Sequence, residues 1–274
     1  MNLDELLGTL WDEYIRITPQ ARRIHELLGG RGEQVVNDHV ALRTFDLDPI
    51  DIDSLAAPFL AAGYQYHQDY HFPEKRLYAR SYNPPAERYP RVFISQLKTG
   101  EFDADLRRVA RELAGQVPTG RRGSTRLLLD APTWGVPDLE VYRSLLAQSE
   151  YAAWVAAFGI RVNHFTVFYN ALRTFASLEE FSRWLASQGF PMNESGGLVK
   201  GSPAELLEQS STLADRIEWE FAGGRRQVIP SCYYEFARRH VDPSTGEIYA
   251  GFIARSADKI FESTDTRLSS PDRS

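Results

Sequence analysis

Two histidines and one glutamate stand in strand-like segments that are otherwise apolar or aromatic. His39 and His164 each lie in a run of strand-forming residues, and Glu235 is the lone acid of the aromatic run 231–237. A carboxylate buried in such a strand costs free energy unless a cation accompanies it. Two histidines and one carboxylate are the ligand set of non-haem Fe(II) sites, which keep positions open for substrate and oxygen. We therefore predict that His39, His164 and Glu235 hold one Fe(II) ion.

Taken singly, each of these residues has a simpler explanation. Either histidine could be a core residue that is hydrogen-bonded to a backbone carbonyl group. Glu235 could pair with Arg238 or Arg239 at the end of its strand. The metal interpretation is favoured because the two histidines occupy matching positions in two similar segments of the chain.

Arg43 is a candidate for binding an acidic substrate beside the metal. It follows His39 by four residues on the same strand face, roughly 13 Å along the strand at about 3.3 Å per residue. A long side chain could reach back over that distance, and the planar guanidinium group matches a carboxylate with two hydrogen bonds. A surface salt bridge to Asp46 or Asp48 is equally compatible with the sequence.

The two histidine segments open two copies of one structural plan. The strand with His39 precedes a helical stretch that ends at Gly63, and the strand with His164 precedes one that ends at Gly189. The spacing from histidine to glycine is 63 − 39 = 24 residues in the first copy and 189 − 164 = 25 in the second. Order and spacing together predict an internal repeat of a βαβββ unit.

Further strand-like runs complete the two copies. They are residues 77–82 and 91–97 in the first copy, and residues 198–200, 216–221 and 227–236 in the second. The alignment of the copies places Gln96 opposite Glu235. Packing of the copies about a pseudo-two-fold axis would bring both imidazoles into one cleft. The predicted fold class is therefore α+β, with two βαβββ modules that form a metal-containing cleft.

Helical periodicity outside the copies predicts added helices at the N-terminus and between the modules. The predicted units are an N-terminal helical cover at 1–30, the first module at 31–102, a helical connector at 103–160, the second module at 161–240, and a C-terminal segment at 241–274 with a frayed tail. His67 and His71 stand in a polar segment that is typical of an exposed loop. Gly223 and Gly224 predict a hairpin turn.

Composition excludes several classes of protein. A net charge of −6 over 274 residues does not fit a nucleic-acid-binding protein. One cysteine, Cys232, excludes an internal disulfide and a zinc site built from several cysteines. The N-terminus is acidic and no apolar run is long enough to span a membrane, so that we predict a cytoplasmic protein without a membrane partner. A homodimer is possible if modules are exchanged between chains.

Three segments resemble the 2-oxoadipate dioxygenase/decarboxylase family, which belongs to the vicinal oxygen chelate superfamily. They are residues 37–45, residues 162–165 and residues 234–239, and the segment 251–264 also looks similar. The resemblance covers roughly residues 28–265. It implies a vicinal-oxygen-chelate-type fold in which His39, His164 and Glu235 ligate Fe(II).

The resemblance also implies a reaction. In this family a 2-oxo acid chelates the iron, and decarboxylation is coupled to oxygenation by O2. The family's substrate, 2-oxoadipate, gives 2-hydroxyglutarate and CO2, a step in lysine breakdown. Arg43 is then the catalytic and substrate-binding residue that holds the carboxylate of the substrate. This chain is short beside longer members of the family, so that the walls around the far end of the substrate can differ.

Other functions use a similar arrangement of residues. An extradiol-type ring-cleaving dioxygenase has the same two histidines and one glutamate. A non-catalytic protein could use the cleft only to bind a small acid. An isomerase of the glyoxalase type, which uses Zn or Ni, is disfavoured because Gln96 replaces an acid in the first copy, although glutamine can also be a ligand in that branch.

Overall fold

One mixed sheet carries the three predicted metal ligands. The computed structural model describes residues 1–130 and 133–264, and within them ten strands are formed. The strands are β1 (Asn37–Phe45), β2 (Gln65–Phe72), β3 (Leu77–Asn83), β4 (Arg91–Leu97), β5 (Val162–Phe168), β6 (Lys200–Ser202), β7 (Leu207–Ser211), β8 (Arg216–Glu220), β9 (Arg226–Pro230) and β10 (Glu235–Arg239). Eight of these described strands form one sheet in the order β2-β3-β4-β1-β5-β10-β7-β6, while β8 and β9 pair separately.

Helices pack around this sheet, and in the sequence several of them connect one strand to the next. In the described residues they are α1 (Leu3–Ile17), α2 (Pro19–Gly30), α3 (Ile52–Ala61), α4 (Ala104–Ala114), α5 (Thr125–Leu129), α6 (Leu139–Gln148), α7 (Glu150–Phe158), α8 (Leu178–Ser187) and α9 (Ala254–Phe261). The helix α4 shows why these segments fold: its apolar residues share one buried face, and Asp103 caps its first turn. The prediction of a mixed α+β fold is confirmed.

The centre of the sheet brings the two histidine strands side by side. β1 and β5 are antiparallel, with His39 opposite Thr166 and Ala41 opposite His164. Each also has a parallel neighbour on its outer side, β4 beside β1 and β10 beside β5. Because paired residues point to the same side of a sheet, both histidines lie on one face, which we call the site face.

Two strands of the main sheet were not predicted from the sequence, and one predicted strand lies outside that sheet. β2, which contains His67 and His71, is an edge strand rather than a loop, and its largely polar, exposed side chains hide the strand pattern. β7 was not predicted because its sequence, LEQSS, has few apolar residues. The predicted run 216–221 instead pairs, as β8, with β9 in a hairpin that turns at Gly223 as expected, with φ 77°. The predicted run 227–236 is divided between β9 of this hairpin and β10 of the main sheet.

Helices cover the two faces of the central strands. α1 packs on β5 through Trp11, whose ring centroid lies 5.2 Å from that of Phe165. Tyr14 of the same helix donates a hydrogen bond to the carbonyl of Tyr233, just before β10. α9 lies against β2, β6 and β7 and therefore crosses between the two outer parts of the sheet. Residues 265–274, predicted to fray, lie outside the described residues.

Within the described chain, no helix combines the length and the apolar character that a bilayer crossing requires.

Candidate metal centre

His39, His164 and Glu235 meet on the site face, as predicted. One ligand atom from each lies within 4.8 Å of the others, and all three residues are buried. Nε2 of His164 is 3.2 Å from Oε2 of Glu235, and Nε2 of His39 is 3.7 Å from Oε1. Two imidazole nitrogens and a carboxylate that converge from different strands form a donor set suited to a divalent transition metal.

Neither histidine bonds a backbone carbonyl through its ring, as the simpler explanation required. Nδ1 of His39 is 2.8 Å from Oδ1 of Asp38, and Nδ1 of His164 is 3.0 Å from Oδ1 of Asn163. An oxygen acceptor at Nδ1 favours the tautomer whose Nε2 carries a lone pair. Nε2 of His39 also lies 3.0 Å from Oγ1 of Thr166. Both rings therefore present Nε2 to the common centre.

Asp38 is in turn held by a buried arginine. Nε and Nη2 of Arg239 donate to its two carboxylate oxygens at 2.6 and 2.9 Å, and Nη1 donates to the carbonyls of Tyr249 and Gly251. Burial alone would raise the pKa of Asp38, but Arg239 outweighs it and holds that pKa well below its usual range. An ionised Asp38 fixes the orientation of His39. Arg239 thus pairs with Asp38 and not with Glu235.

Glu235 and His164 keep the protonation states that a metal needs. Burial would raise the pKa of Glu235, yet the attraction of His39 and His164 outweighs it, and the pKa lies below its ordinary value. Burial lowers the pKa of His164, and the opposing attraction of Glu235 does not cancel this effect. Nε2 of Gln209 donates to Oε1 of Glu235 at 2.6 Å and orients the carboxylate. A neutral imidazole and an ionised carboxylate are the ligand forms.

Phe93, not Gln96, occupies the position that corresponds to Glu235 in the first half of the sheet. Glu235 pairs with Thr166, two residues beyond His164, and Phe93 pairs with Ala41, two residues beyond His39. The predicted alignment was wrong by three residues, which also reverses the strand face. Gln96 instead accepts a hydrogen bond from the backbone of Ile52 at the start of α3. A fourth ligand from Gln96, as in a glyoxalase-type isomerase, is therefore absent from the described site.

Arg43 is buried rather than engaged in a surface salt bridge. Its Nη1 lies 3.4 Å from Glu150, and its Nη2 donates to the hydroxyl of Thr264 at 3.3 Å, while its Nε has no hydrogen-bond partner among the described residues. The guanidinium carbon lies 5.7 Å from the ring centroid of Phe261, which lines the metal cavity. Asp46, one of the alternative partners, bonds Thr99.

The cavity at the triad is small and is closed by the C-terminal part of the chain. Its volume is about 20 Å³, room for roughly one water molecule. Phe252 packs edge-on against His39 at 4.8 Å, and Ile260 and Phe261 of α9 line the cavity from the same side. The ring of Tyr233 stacks on His164 at 4.6 Å. Water is thereby largely excluded from the centre.

Lys200 is a further buried cation, in addition to Arg43 and Arg239, that the sequence did not indicate. It is 4% exposed and pairs across β6 and β7 with Gln209, the residue that holds Glu235. Burial lowers the pKa of its amine to about 8, against the opposing attraction of Glu235, Glu262 and Glu194.

Replacement of Lys200 by methionine is expected to reveal the free-energy cost of this buried charge. The folded-state pKa of about 8 lies below the ordinary 10.5, so the unfolded chain binds the proton more tightly, and the free energy of unfolding rises with pH between those values. The variant lacks this group. The melting temperature of the variant minus that of wild type should therefore become smaller between pH 8 and pH 10.5, because only wild type gains stability in this range. A difference that is constant with pH would contradict a charged, buried Lys200.

Asp38 and Asn163 carried a signal that the sequence analysis overlooked. Each immediately precedes one of the two histidines, at matching positions of the two copies, and each offers a side-chain oxygen. A repeated acceptor beside a repeated histidine is the pattern expected of metal ligands whose rings are oriented by hydrogen bonds. His67 and His71 lie on β2 and, within the described chain, are not grouped with the triad.

A family model matches the chain over most of its length. The model describes 2-oxoadipate dioxygenase/decarboxylase and matches residues 5–119 and 120–246. A curated Arabidopsis thaliana protein, named "2-oxoadipate dioxygenase/decarboxylase, chloroplastic", is 34% identical over 283 residues. That alignment covers 94% of this chain and 76% of the relative.

Two crystal structures have a similar fold over nearly the whole chain. The hydroxyglutarate synthase from Oryza sativa, in complex with 2-oxoadipate, is 32% identical, with a TM-score of 0.91 and coverage of 96% of this chain and 92% of that one. A candidate hydrolase from Shewanella frigidimarina is 43% identical, with a TM-score of 0.86 and coverage of 92% and 98%. The described fold is therefore shared with proteins at above 30% identity.

Proposed function

Because the chain belongs to the 2-oxoadipate dioxygenase/decarboxylase family, we propose that it converts 2-oxoadipate and O2 to 2-hydroxyglutarate and CO2 with Fe(II). The convergence of His39, His164 and Glu235 within 4.8 Å of one another is the observation that carries this proposal. The donor set fits Fe(II), since it offers two neutral imidazoles and one carboxylate and leaves coordination positions open. An enzyme of this family is an oxygenase, which agrees with such a site.

The proposed reaction is balanced without an added reductant. One 2-oxoadipate and one O2 contain the same atoms as one 2-hydroxyglutarate and one CO2. Of the four electrons that reduce O2, two come from breaking the bond to the departing carboxylate and two from hydroxylation of a C–H bond of the remaining chain. Fe(II), when bound, supplies a Lewis acid and a site at which O2 is reduced. In this protein His39, His164 and Glu235 would hold the metal, and Phe252 and Phe261 would keep bulk water away from it.

Arg43 is the group that we assign to a carboxylate of the substrate. The side chain is 2% exposed, its Nε is unpartnered within the described chain, and its hydrogen bonds to Glu150 and Thr264 are long. A buried guanidinium group with spare donors is suited to a planar anion. The predicted catalytic and substrate-binding role of Arg43 is therefore kept as part of the proposal.

Replacement of Arg43 by methionine is expected to leave metal affinity unchanged and to raise the KM for 2-oxoadipate about 100-fold, the usual effect of losing a charge-assisted pair of hydrogen bonds. Steady-state oxygen consumption and anaerobic iron titration measure the two quantities. Arg108→Met, on the exposed face of α4, is the matched control. Loss of iron binding in the Arg43 variant, or an unchanged KM, would contradict the assignment.

The C-terminal helix must move when a substrate of this size binds. A cavity of about 20 Å³ cannot hold a six-carbon acid, and the residues that close it, Phe252, Ile260 and Phe261, come from one segment of the chain. Displacement of α9 would open the site face without disturbing the strands that carry the ligands. We therefore assign substrate entry to this side.

We further infer that the sheet consists of two vicinal-oxygen-chelate-type βαβββ modules, at 31–102 and 161–240. The strand order β2-β3-β4-β1 in one half and β6-β7-β10-β5 in the other supports this inference. In this view 1–30 is a helical cover, 103–160 a helical connector and 241–274 a C-terminal segment. A role in lysine breakdown, a cytoplasmic location, a homodimer and the lack of nucleic-acid and membrane partners stay predictions.

One experiment tests the proposed function. Protein reconstituted anaerobically with Fe(II) is mixed with 2-oxoadipate in buffer that contains O2, and O2 consumption, CO2 release and 2-hydroxyglutarate are measured. We expect the three in equal amounts. Turnover of catechols without turnover of oxo acids would select extradiol cleavage instead, and binding of the acid without product would select a binding protein. Either result would refute the proposal.

A further inference from the structure

Among the described residues, Lys200 has no acidic partner of the kind that a buried ammonium group usually has. Lys200 is 4% exposed, and lysine is rarely buried so completely without a carboxylate beside it. In the part of the chain that the structure describes, no carboxylate oxygen forms an ion pair with its Nζ. The amine donates to a neutral acceptor, the backbone carbonyl of Asn193. None of the described residues therefore supplies the negative charge that would compensate the burial.

Nearby acidic residues are committed elsewhere. Glu262 binds Lys259 at 3.0 Å and also accepts from Ser195, and Glu194 is exposed. Glu235 is the acid whose charge acts most strongly on Lys200, but it is one of the three residues that face the metal position. Once a divalent cation is bound there, the charge of Glu235 is neutralised by the metal, and Lys200 loses this attraction as well.

The charges of the site then match a dicarboxylic acid. Asp38 balances Arg239, and Glu150 lies beside Arg43. What remains is a divalent cation, the single negative charge of Glu235 and the positive charge of Lys200, which sum to two positive charges. A dicarboxylate carries two negative charges. A substrate with one carboxylate would leave a buried positive charge, which is costly in an environment from which water is excluded.

Lys200 also lies on the same face of the sheet as the metal ligands. Lys200 and Gln209 are paired on the site face, and Gln209 lines the metal cavity and donates to Glu235. Arg43 lies on β1 and Lys200 on β6, so that the strands β5, β10 and β7 run between the two cations. α9 packs against both β6 and β7. Its displacement would extend the cavity over Gln209 toward Lys200.

We propose that Lys200 is a specificity-determining residue that binds the second carboxylate, at the far end of a 2-oxo dicarboxylic acid whose oxo-acid end lies at the metal. The proposal rests on the function proposed above, and it names the residue that makes the site prefer a dicarboxylate to a monocarboxylate of the same chain length. The amine of Lys200 now donates to the carbonyl of Asn193. Substrate binding exchanges this neutral acceptor for a charged one.

Calorimetry on the full chain, loaded with Fe(II) in the absence of O2, tests the proposal. The probes are 2-oxoadipate and 2-oxohexanoate, which have the same chain length and differ in the second carboxylate. We expect wild-type protein to bind 2-oxoadipate about 10- to 100-fold more tightly, the usual range for a charge-assisted contact in a desolvated site. Lys200→Met should lose this preference by binding 2-oxoadipate more weakly and 2-oxohexanoate about as well as wild type does.

Several outcomes would overturn the assignment of Lys200. These are a wild-type protein that does not prefer the dicarboxylate, a variant that keeps the wild-type preference, and a variant that binds both acids more weakly by the same factor, as a purely structural role predicts. Lys200→Gln is the second variant should the methionine variant not fold. Lys98→Met is the control, because Lys98 is partly exposed and pairs with Glu101. Selective binding without turnover would refute the proposed function but leave the role of Lys200 standing.

Discussion

Replacement of Glu235 by alanine is expected to weaken iron binding about 1,000-fold and to abolish turnover. The site has three protein ligands, and the metal-binding free energy of such sites, shared among the ligands, corresponds to about 3–4 kcal/mol for each. Alanine also removes the single negative charge among the ligands, which leaves two neutral imidazoles facing a divalent cation. His39→Ala and His164→Ala are expected to behave in the same way, because each removes one donor of the same group.

Anaerobic iron titration followed by elemental analysis measures this effect. Glu218→Ala is the matched control: Glu218 lies on the separate hairpin, is largely exposed and pairs with Arg226. It should bind iron as wild type does. Stoichiometric iron in the Glu235 variant, at the affinity of wild type, would show that the carboxylate is not a ligand. Circular dichroism of the metal-free variants checks that the fold is intact.

The second large effect is expected from the buried pair of Asp38 and Arg239. Both side chains are 0% exposed, and the two hydrogen bonds between them are 2.6 and 2.9 Å long. Arg239→Met leaves the carboxylate of Asp38 buried and unpaired, which costs about 3–5 kcal/mol of folding free energy. Because Asp38 also orients His39, iron affinity should fall by a further 10- to 100-fold, roughly the effect of losing a group that orients a ligand.

Thermal unfolding and iron titration together measure the two consequences. The double variant Asp38→Leu/Arg239→Met should unfold at a higher temperature than Arg239→Met, since it removes both charges. It should still bind iron weakly, because His39 has lost its acceptor. Arg238→Met is the control, because Arg238 is partly exposed and lies 3.8 Å from Glu208. Equal stability of Arg239→Met and wild type would contradict the account of this pair.

The metal site was predictable because its residues are chemically out of place in their strands. Glu235 is a charge in an aromatic strand, and His39 and His164 recur at the same point of a repeated pattern. A period of two then places each side chain on a known face. The convergence of the three residues follows from the pairing of β1 with β5, an arrangement that the internal repeat favours.

Two strands, the position of Gln96 and the role of Lys200 were not predictable, because the residues near them in the sequence do not show where they lie in the fold. β7 lacks an apolar strand pattern because Gln209 and Ser211 point to the polar site face. β2 lacks one because it is an exposed edge strand with largely polar side chains. Gln96 was aligned by its chemistry, whereas the register places Phe93 there. Lys200 has no local signal at all: its burial arises from α9, which packs across β6 and begins 254 − 200 = 54 residues later in the chain.

Diffraction at the iron absorption edge, from crystals grown anaerobically with Fe(II), tests the convergence of the ligands on a single ion. The account predicts one strong anomalous peak, bonded to Nε2 of His39, Nε2 of His164 and a carboxylate oxygen of Glu235. Iron at any other position, or three ligand atoms that stay empty in protein saturated with iron, would contradict it.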